Sequence, residues 1–170
     1  MKKSILIIAV ALTATILFSC KKSSQLIEEI QPPVETTIAS EWLAMQLATV
    51  KNEDGSMHVE ASETVNNINQ YDLDSHYLLA YTKAPGRDSW VYNQLPMTIT
   101  TDEGDVEISF TLDVNHFSVN MINLSSDQQI DIQRFTNYQF RYVLVSAHDY
   151  ESMQVDWRDY EAVATALHLS

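Results

Sequence analysis

The pattern of apolar and polar positions after residue 40 indicates short β-strands separated by turns. The clearest alternation runs through residues 106–114, where every second residue is apolar and the intervening residues are polar. Residues 117–121 repeat the pattern. A period of two places the apolar side chains on one face of a strand. The two segments therefore predict neighbouring, half-buried strands.

A two-residue loop at Asn115 and His116 would join these segments into a hairpin. Asn tolerates the positive φ that such a loop requires, although His116 replaces the favoured Gly. The predicted cross-strand pairs are Val114–Phe117, Leu112–Val119 and Phe110–Met121. All six side chains lie on the apolar face, so this register is self-consistent.

Residues 76–83 are apolar on both faces, which predicts a strand in the middle of the fold. A turn is expected at residues 84–87, with Gly86 supplying the positive φ of a type II turn. Residues 89–95 form the next predicted strand. Pro96 lacks an N–H donor and therefore predicts an edge or a bulge.

The other segments are less regular. Residues 41–50 fit a loose strand, with a helix capped by Ser40 as the alternative. Asp156 is expected to cap a terminal helix whose apolar residues fall on one side. The remaining predictions are a strand at 57–61, a polar loop at 63–74, a short strand at 130–132 and a long strand at 138–147.

These elements predict one all-β domain over residues 40–170. About seven or eight short strands with frequent turns are typical of an antiparallel β-sandwich, immunoglobulin-like or similar. Helix signals are missing between the strands, so parallel crossovers are disfavoured. One short C-terminal helix completes the predicted fold.

The first 20 residues have the features of an export signal. Two lysines precede an apolar run at residues 5–18, which has 14 residues and is short for a spanning helix of roughly 20 residues. The run ends at Ser19 and Cys20. We interpret residues 1–19 as the signal peptide; an ordinary signal followed by a chance cysteine is the alternative.

Leu17, Ser19 and Cys20 resemble the Leu-x-Ser-Cys pattern of bacterial lipoproteins. The resemblance implies a diacylglycerol on the Cys20 sulfur and cleavage before Cys20, so the partner of this end is the membrane. Lys21 follows where Asp would favour inner-membrane retention, which implies the outer membrane of a bacterial envelope. Residues 20–39, rich in polar residues and proline, are then the lipidated cysteine and its tether.

The negative net charge of the chain limits the kinds of molecule that it can bind. The chain has 23 acidic against 10 basic residues, and loss of the two signal lysines moves its formal net charge from −13 to −15. Such an acidic protein is a poor partner for nucleic acid. Cys20 is the only cysteine, so lipidation leaves neither a disulfide nor a thiol ligand.

The sequence shows no motif for catalysis, metal binding or nucleotide binding. The three glycines lie in turns and the five histidines lack ligand spacing. Acidic turns at residues 72–74 and 102–105 do not match a calcium loop. We therefore predict no catalytic residues, no metal and no cofactor, and a protein that is not an enzyme.

Aromatic residues are the remaining candidates for ligand binding. Trp90, Tyr92 and Tyr81 lie on two predicted strands that flank one turn. If they project outward, they could stack on a sugar or a peptide. The alternative is an aromatic layer that packs inside the domain.

Several blocks resemble small lipoproteins common in Bacteroidota. The blocks are Ser40-Glu41-Trp42, Tyr77-Leu78-Leu79-Ala80-Tyr81, Tyr92-Asn93-Gln94-Leu95-Pro96, Gln139-Phe140-Arg141-Tyr142-Val143-Leu144-Val145 and residues 156–163. Those proteins usually have Pro-Gly after the Arg-Tyr-Val strand, where this chain has Ser146, Ala147 and His148. The resemblance implies a fold and carries no known activity.

The combined expectation is a non-enzymatic, lipid-anchored envelope protein. It would serve a structural or interaction role, or act as an accessory binding module for an envelope protein or a glycan. The alternative is a glycan-binding or glycan-processing accessory lipoprotein. An enzyme of that kind needs two carboxylates about 5–10 Å apart in a cleft.

Overall fold

A computed structural model describes residues 36–125 and 129–170. The predicted signal peptide, Cys20 and most of the tether lie outside these residues. Within them, no helix is long and apolar enough to span a membrane.

The described residues form nine strands, three short α-helices and one 3-10 helix. The strands are β1 (Ile38–Ala39), β2 (Ala48–Lys51), β3 (Met57–Thr64), β4 (His76–Pro85), β5 (Trp90–Gln94), β6 (Met97–Thr101), β7 (Gly104–Leu112), β8 (His116–Asn123) and β9 (Gln139–Ser146). The helices are α1 (Gln70–Ser75), α2 (Ala147–Ser152) and α3 (Tyr160–Ala166), and the 3-10 helix is Ile132–Phe135.

The strands form two antiparallel sheets, which confirms the predicted all-β sandwich with a short C-terminal helix. The first sheet has the order β1-β9-β4-β5, and the second has the order β2-β3-β8-β7-β6. The chain changes sheet between β5 and β6, at a cis Leu95–Pro96 peptide. Residues 97–101 form a separate strand, and Pro96 lies between the edge strand β5 of the first sheet and the edge strand β6 of the second.

The main core lies between the two sheets. The second sheet contributes Val59, Val106, Ile108, Phe117, Val119 and Met121, and the first sheet contributes Ala80, Phe140, Tyr142 and Leu144. Alternation along β7 and β8 places these side chains inward and leaves Ser, Thr and Glu outside. The second sheet is thus covered on one face, as its half-buried pattern predicts.

The first sheet is covered on both faces. On its outer face, Leu79, Tyr81, Val143 and Val145 pack against Tyr160 and Val163 of α3. The central residues of both strands, 77–81 of β4 and 142–145 of β9, are apolar because they have neighbours on both faces. This arrangement confirms the middle position predicted for residues 76–83.

The β7–β8 hairpin forms in a different register from the predicted one. Leu112 pairs with Phe117 and Phe110 with Val119, a shift of two residues along the strand. The loop is longer because the Asp113 carboxylate accepts hydrogen bonds from the backbone N–H groups of Asn115 and His116. A shift of two keeps every side chain on its face, so alternation alone could not distinguish the registers.

The predictions for two segments with weak patterns were wrong. The predicted loop at 63–74 holds the end of β3 and α1, which a capping box between Asn69 and Asp72 begins. Residues 130–132 form no strand: Ile132 is already the first residue of the 3-10 helix, and Asp131 is its cap. Short polar-capped turns such as these lack the period on which the predictions depended.

Two turn predictions were also wrong in detail. β4 continues through Pro85, and the turn closes from the Gly86 N–H to the Ser89 carbonyl without a positive φ at Gly86. A Cβ at Gly86 would lie 2.6 Å from the Ser89 carbonyl oxygen, so space rather than φ requires glycine here. At the C-terminus, Asp159 caps α3, whereas Asp156 closes the turn before it.

Candidate binding site around Trp90

The three aromatic residues predicted to bind a ligand lie on the outer face of the first sheet. In the β4–β5 pair, Pro85 is opposite Trp90 and Lys83 is opposite Tyr92. Tyr81 is two residues from Lys83 and therefore shares its face. The sheet brings the three residues to one side of the molecule, but their exposure differs strongly.

Tyr81 has no exposed surface. Its hydroxyl donates a 2.7 Å hydrogen bond to the backbone carbonyl of Trp157. Burial raises the pKa of Tyr81 well above its usual value, so the hydroxyl remains a donor. In this conformation Tyr81 fixes the C-terminal segment to the sheet and offers no surface to a ligand.

Tyr92 is half-buried in an aromatic layer. Its ring stacks on Tyr160, with 4.9 Å between centroids, and lies 5.6 Å from the Trp42 ring. Trp42 in turn meets Tyr160 edge-on at 4.9 Å. Tyr92 therefore packs in the way that the alternative, an inward aromatic layer, described.

Trp90 is the exposed member of the three, with 44% of its surface accessible. The Lys83 ammonium lies 4.6 Å from the centroid of its indole and 5.6 Å from that of Trp42. No carboxylate of the described residues forms an ion pair with Lys83. The cation instead lies near two indoles, where cation–π attraction stabilises it.

A groove of about 250 Å³ lies beside Trp90. Its walls are Ala44, Pro85, Trp90, Thr136, Asn137, Tyr138 and Gln139. No charged side chain is among them. Pockets for drug-sized ligands typically measure roughly 300–1,000 Å³, so this groove fits about one ring of a larger ligand.

Polar groups in this groove are available for hydrogen bonding. Among the described residues, the side-chain amides of Asn137 and Gln139 have no hydrogen-bond partner. Each amide is both a donor and an acceptor. Tyr138 is also a wall residue, and burial raises the pKa of its hydroxyl further above neutral pH. The groove thus combines one exposed indole with uncharged donors and acceptors.

No pattern in the sequence indicated the groove itself. Residues 136–139 approach Trp90 only because β9 pairs with β4, where Lys83 is opposite Gln139. This contact joins segments more than 40 residues apart in the chain. Only Trp90 was identifiable in advance, from its place beside a predicted turn.

The acidic turns have partners within the protein. Asp72 caps α1 and Asp74 accepts from the Gln70 amide. The Arg134 guanidinium lies 3.1 Å from both Asp102 and Glu103. In residues 36–125 and 129–170, no group of three or more His, Cys, Asp or Glu side chains is arranged to hold a metal ion.

Comparisons with protein-family models, with curated proteins and with solved structures found no match. The site must therefore be judged from its own geometry.

Proposed function

We propose that this chain is a non-enzymatic envelope lipoprotein that acts as an accessory binding module. A lipid on Cys20 would anchor it to the outer membrane, and the groove beside Trp90 would hold its ligand. The anchor is supported by the signal-like residues 1–19 and by the resemblance to Bacteroidota lipoproteins.

The observation that carries the binding role is the exposure of Trp90. The other two candidate aromatics are engaged in packing, whereas Trp90 presents its indole beside a groove with unused amides. Exposed aromatic anchors next to unpaired polar groups are typical of binding surfaces. A purely structural role would not require this combination.

A glycan-processing function is the second candidate, but the carboxylates of Glu107 and Asp113 do not fit it. Glu107 and Asp113 lie on the same face of β7 and its following turn. They are six residues apart, or roughly 20 Å along an extended strand, against the 5–10 Å of a glycosidase pair. Backbone hydrogen bonds lower the pKa of Asp113, which is the wrong direction for a general acid.

The binding role can be tested by capture from the envelope. The full-length protein is immobilised in detergent and exposed to solubilised envelope extract, beside a Trp90→Ala variant. Tyr77→Ala is the matched control, because Tyr77 is 42% exposed on the same sheet but stacks on Tyr150. We expect a component that the parent and Tyr77→Ala retain and Trp90→Ala does not.

Two results would count against the proposal. Equal retention of the component by parent and Trp90→Ala would show that it does not bind at Trp90. It would then bind elsewhere on the protein. Retention by none of the proteins would favour a structural role.

A further inference from the structure

We propose that the groove beside Trp90 binds the terminal ring of an uncharged saccharide. This inference rests on the binding function proposed above and adds the chemical class of the ligand. It is carried by the walls of the groove, its size and the position of Lys83.

The walls match the two surfaces of a pyranose ring. Such a ring has an apolar C–H face and a rim of hydroxyl groups. An exposed indole provides a flat surface for the C–H face. Each hydroxyl both donates and accepts, and so do the amides of Asn137 and Gln139 and the hydroxyl of Tyr138. The groove therefore offers complementary groups to both surfaces.

The absence of charge in the walls favours a neutral ligand. An ionised ligand group that loses water requires a counter-charge or strong hydrogen bonds. The seven wall residues provide no counter-charge, and the neighbouring Lys83 ammonium is already engaged by the Trp90 and Trp42 indoles. The net charge of −13 also repels acidic polysaccharides at long range. A neutral sugar loses no ionic hydration and feels no such repulsion.

The size of the groove favours the end of a saccharide chain over a peptide. A volume of about 250 Å³ accommodates one ring. An extended peptide would instead need a strand edge and alternate side-chain pockets. We therefore assign a terminal sugar ring to this groove.

Lys83 is a positioning residue in this proposal. Its ammonium lies near both the Trp90 and the Trp42 indole, and this contact favours one position of the Trp90 ring before any ligand is present. A ring that is already fixed loses less conformational freedom on binding. Lys83 therefore supports affinity without contacting the sugar.

The test uses the full-length protein in a detergent without a sugar headgroup. Calorimetry measures binding of cellotetraose, maltotetraose, mannotetraose and chitotetraose, with tetragalacturonate as the charged counterpart. We expect at least one neutral tetrasaccharide to bind, with an affinity that added salt leaves unchanged. Trp90→Ala should weaken binding at least about tenfold, and Tyr77→Ala should not.

Variants of the other groups separate their roles. Asn137→Ala and Gln139→Ala should each weaken binding, because each removes a donor and an acceptor. Lys83→Met should weaken it, and Lys83→Arg should restore it, since an arginine also carries a cation to the indole. Failure of Lys83→Arg to restore binding would overturn the positioning role.

Several results would overturn the ligand class. Binding of tetragalacturonate alone would replace a neutral ligand with an acidic one. Absence of binding by every neutral saccharide at about 10 mM, where a Kd of about 1 mM would give near-saturation, would refute the saccharide. If the Trp90-dependent capture from envelope extract still succeeded, the binding function would survive that failure. Equal binding by parent and Trp90→Ala would show that the saccharide does not bind in this groove.

Discussion

At the scale of single residues, Arg141 is a buried charged residue with few hydrogen-bond acceptors. Only 2% of it is exposed, on the outer face of the first sheet. Its Nη1 donates to the Tyr160 hydroxyl and to the Ser170 backbone oxygen, and its Nε has no partner. No Asp or Glu side chain of the described residues forms an ion pair with it. A buried guanidinium is costly unless it has partners, so the loss of either acceptor should destabilise the folded state.

We predict that Tyr160→Phe destabilises the protein by about 1–3 kcal/mol, because it removes one of the two acceptors of a buried, charged donor. The free energy of unfolding, measured by urea denaturation, checks this value. The ring contacts with Trp42, Tyr81 and Tyr92 persist in the variant, so packing changes little.

Tyr142→Phe is the matched control. Tyr142 is also buried, but its hydroxyl has no hydrogen-bond partner among the described residues. We expect a smaller loss of stability there. Similar losses in both variants would show that the Arg141–Tyr160 hydrogen bond contributes little.

The sequence predicted the aromatic character of this face but not the contacts of Arg141. A charged residue inside the apolar run from Phe140 to Val145 is visible in the sequence. Its acceptors come from α3 and Ser170, at least 19 residues away, so no local pattern could indicate them. The sequence around Arg141 predicts a strand that is buried on both faces, and this pattern does not single out Arg141.

At the scale of elements, the β7–β8 hairpin shows why register is harder to predict than strands. Alternation identified both strands and their buried faces. It could not exclude a shift of two residues, which preserves those faces. The Asp113 carboxylate decides the turn, because it accepts from two backbone N–H groups that a shorter loop would use differently.

We predict that Asp113→Ala lowers the unfolding temperature at neutral pH. Hydrogen bonds from Asn115 and His116 hold the pKa of Asp113 below its ordinary value of 3.8. A group with a lowered pKa stabilises the folded state above its unfolded pKa and loses this contribution as pH falls through the folded value. The deficit of the variant should therefore shrink in acid.

Thermal unfolding of parent and variant, followed from neutral pH into acid, provides the measurement. Asp88→Ala is the control, since Asp88 is exposed in another hairpin turn and accepts no hydrogen bond from the described residues. A deficit for Asp113→Ala that stays constant with pH would contradict the explanation.

The elements that the sequence missed are those without periodicity. α1, α2 and the 3-10 helix contain four to six residues each and depend on side-chain caps from Asn69, Ser146 and Asp131. Helices this short owe their stability to caps and tertiary contacts rather than to propensity. The strands, by contrast, repeat a pattern long enough to be identified.

At the scale of the whole molecule, the proposed account combines an N-terminal anchor with a mostly acidic domain and an uncharged groove. The proposed lipid anchor leads to a prediction about Cys20. Cys20→Ser should abolish incorporation of a labelled fatty acid and release the protein from the membrane fraction, because several acyl chains are needed for stable anchoring.

Fractionation and metabolic labelling of parent and Cys20→Ser measure both effects. Lys21→Arg is the control, because it leaves the cysteine unchanged and should be labelled normally. Persistent labelling of Cys20→Ser, or its continued sedimentation with membranes, would contradict the lipoprotein assignment.

The groove was only partly predictable because it is assembled from distant segments. Trp90 could be selected from the sequence, whereas Asn137, Tyr138 and Gln139 reach it through the pairing of β4 with β9. Tyr81 and Tyr92 were selected because their strands flank one turn. Position beside a turn does not determine exposure, and the C-terminal segment covers both residues.

The most direct test of the account is the response of the three indole N–H resonances to ligand. The labelled full-length protein in detergent is titrated with the envelope component or saccharide that it retains, and Trp90→Phe assigns one signal. We predict that the Trp90 resonance shifts in a saturable manner while those of Trp42 and Trp157 remain nearly unchanged. An unchanged Trp90 signal at saturating ligand would contradict the proposed site.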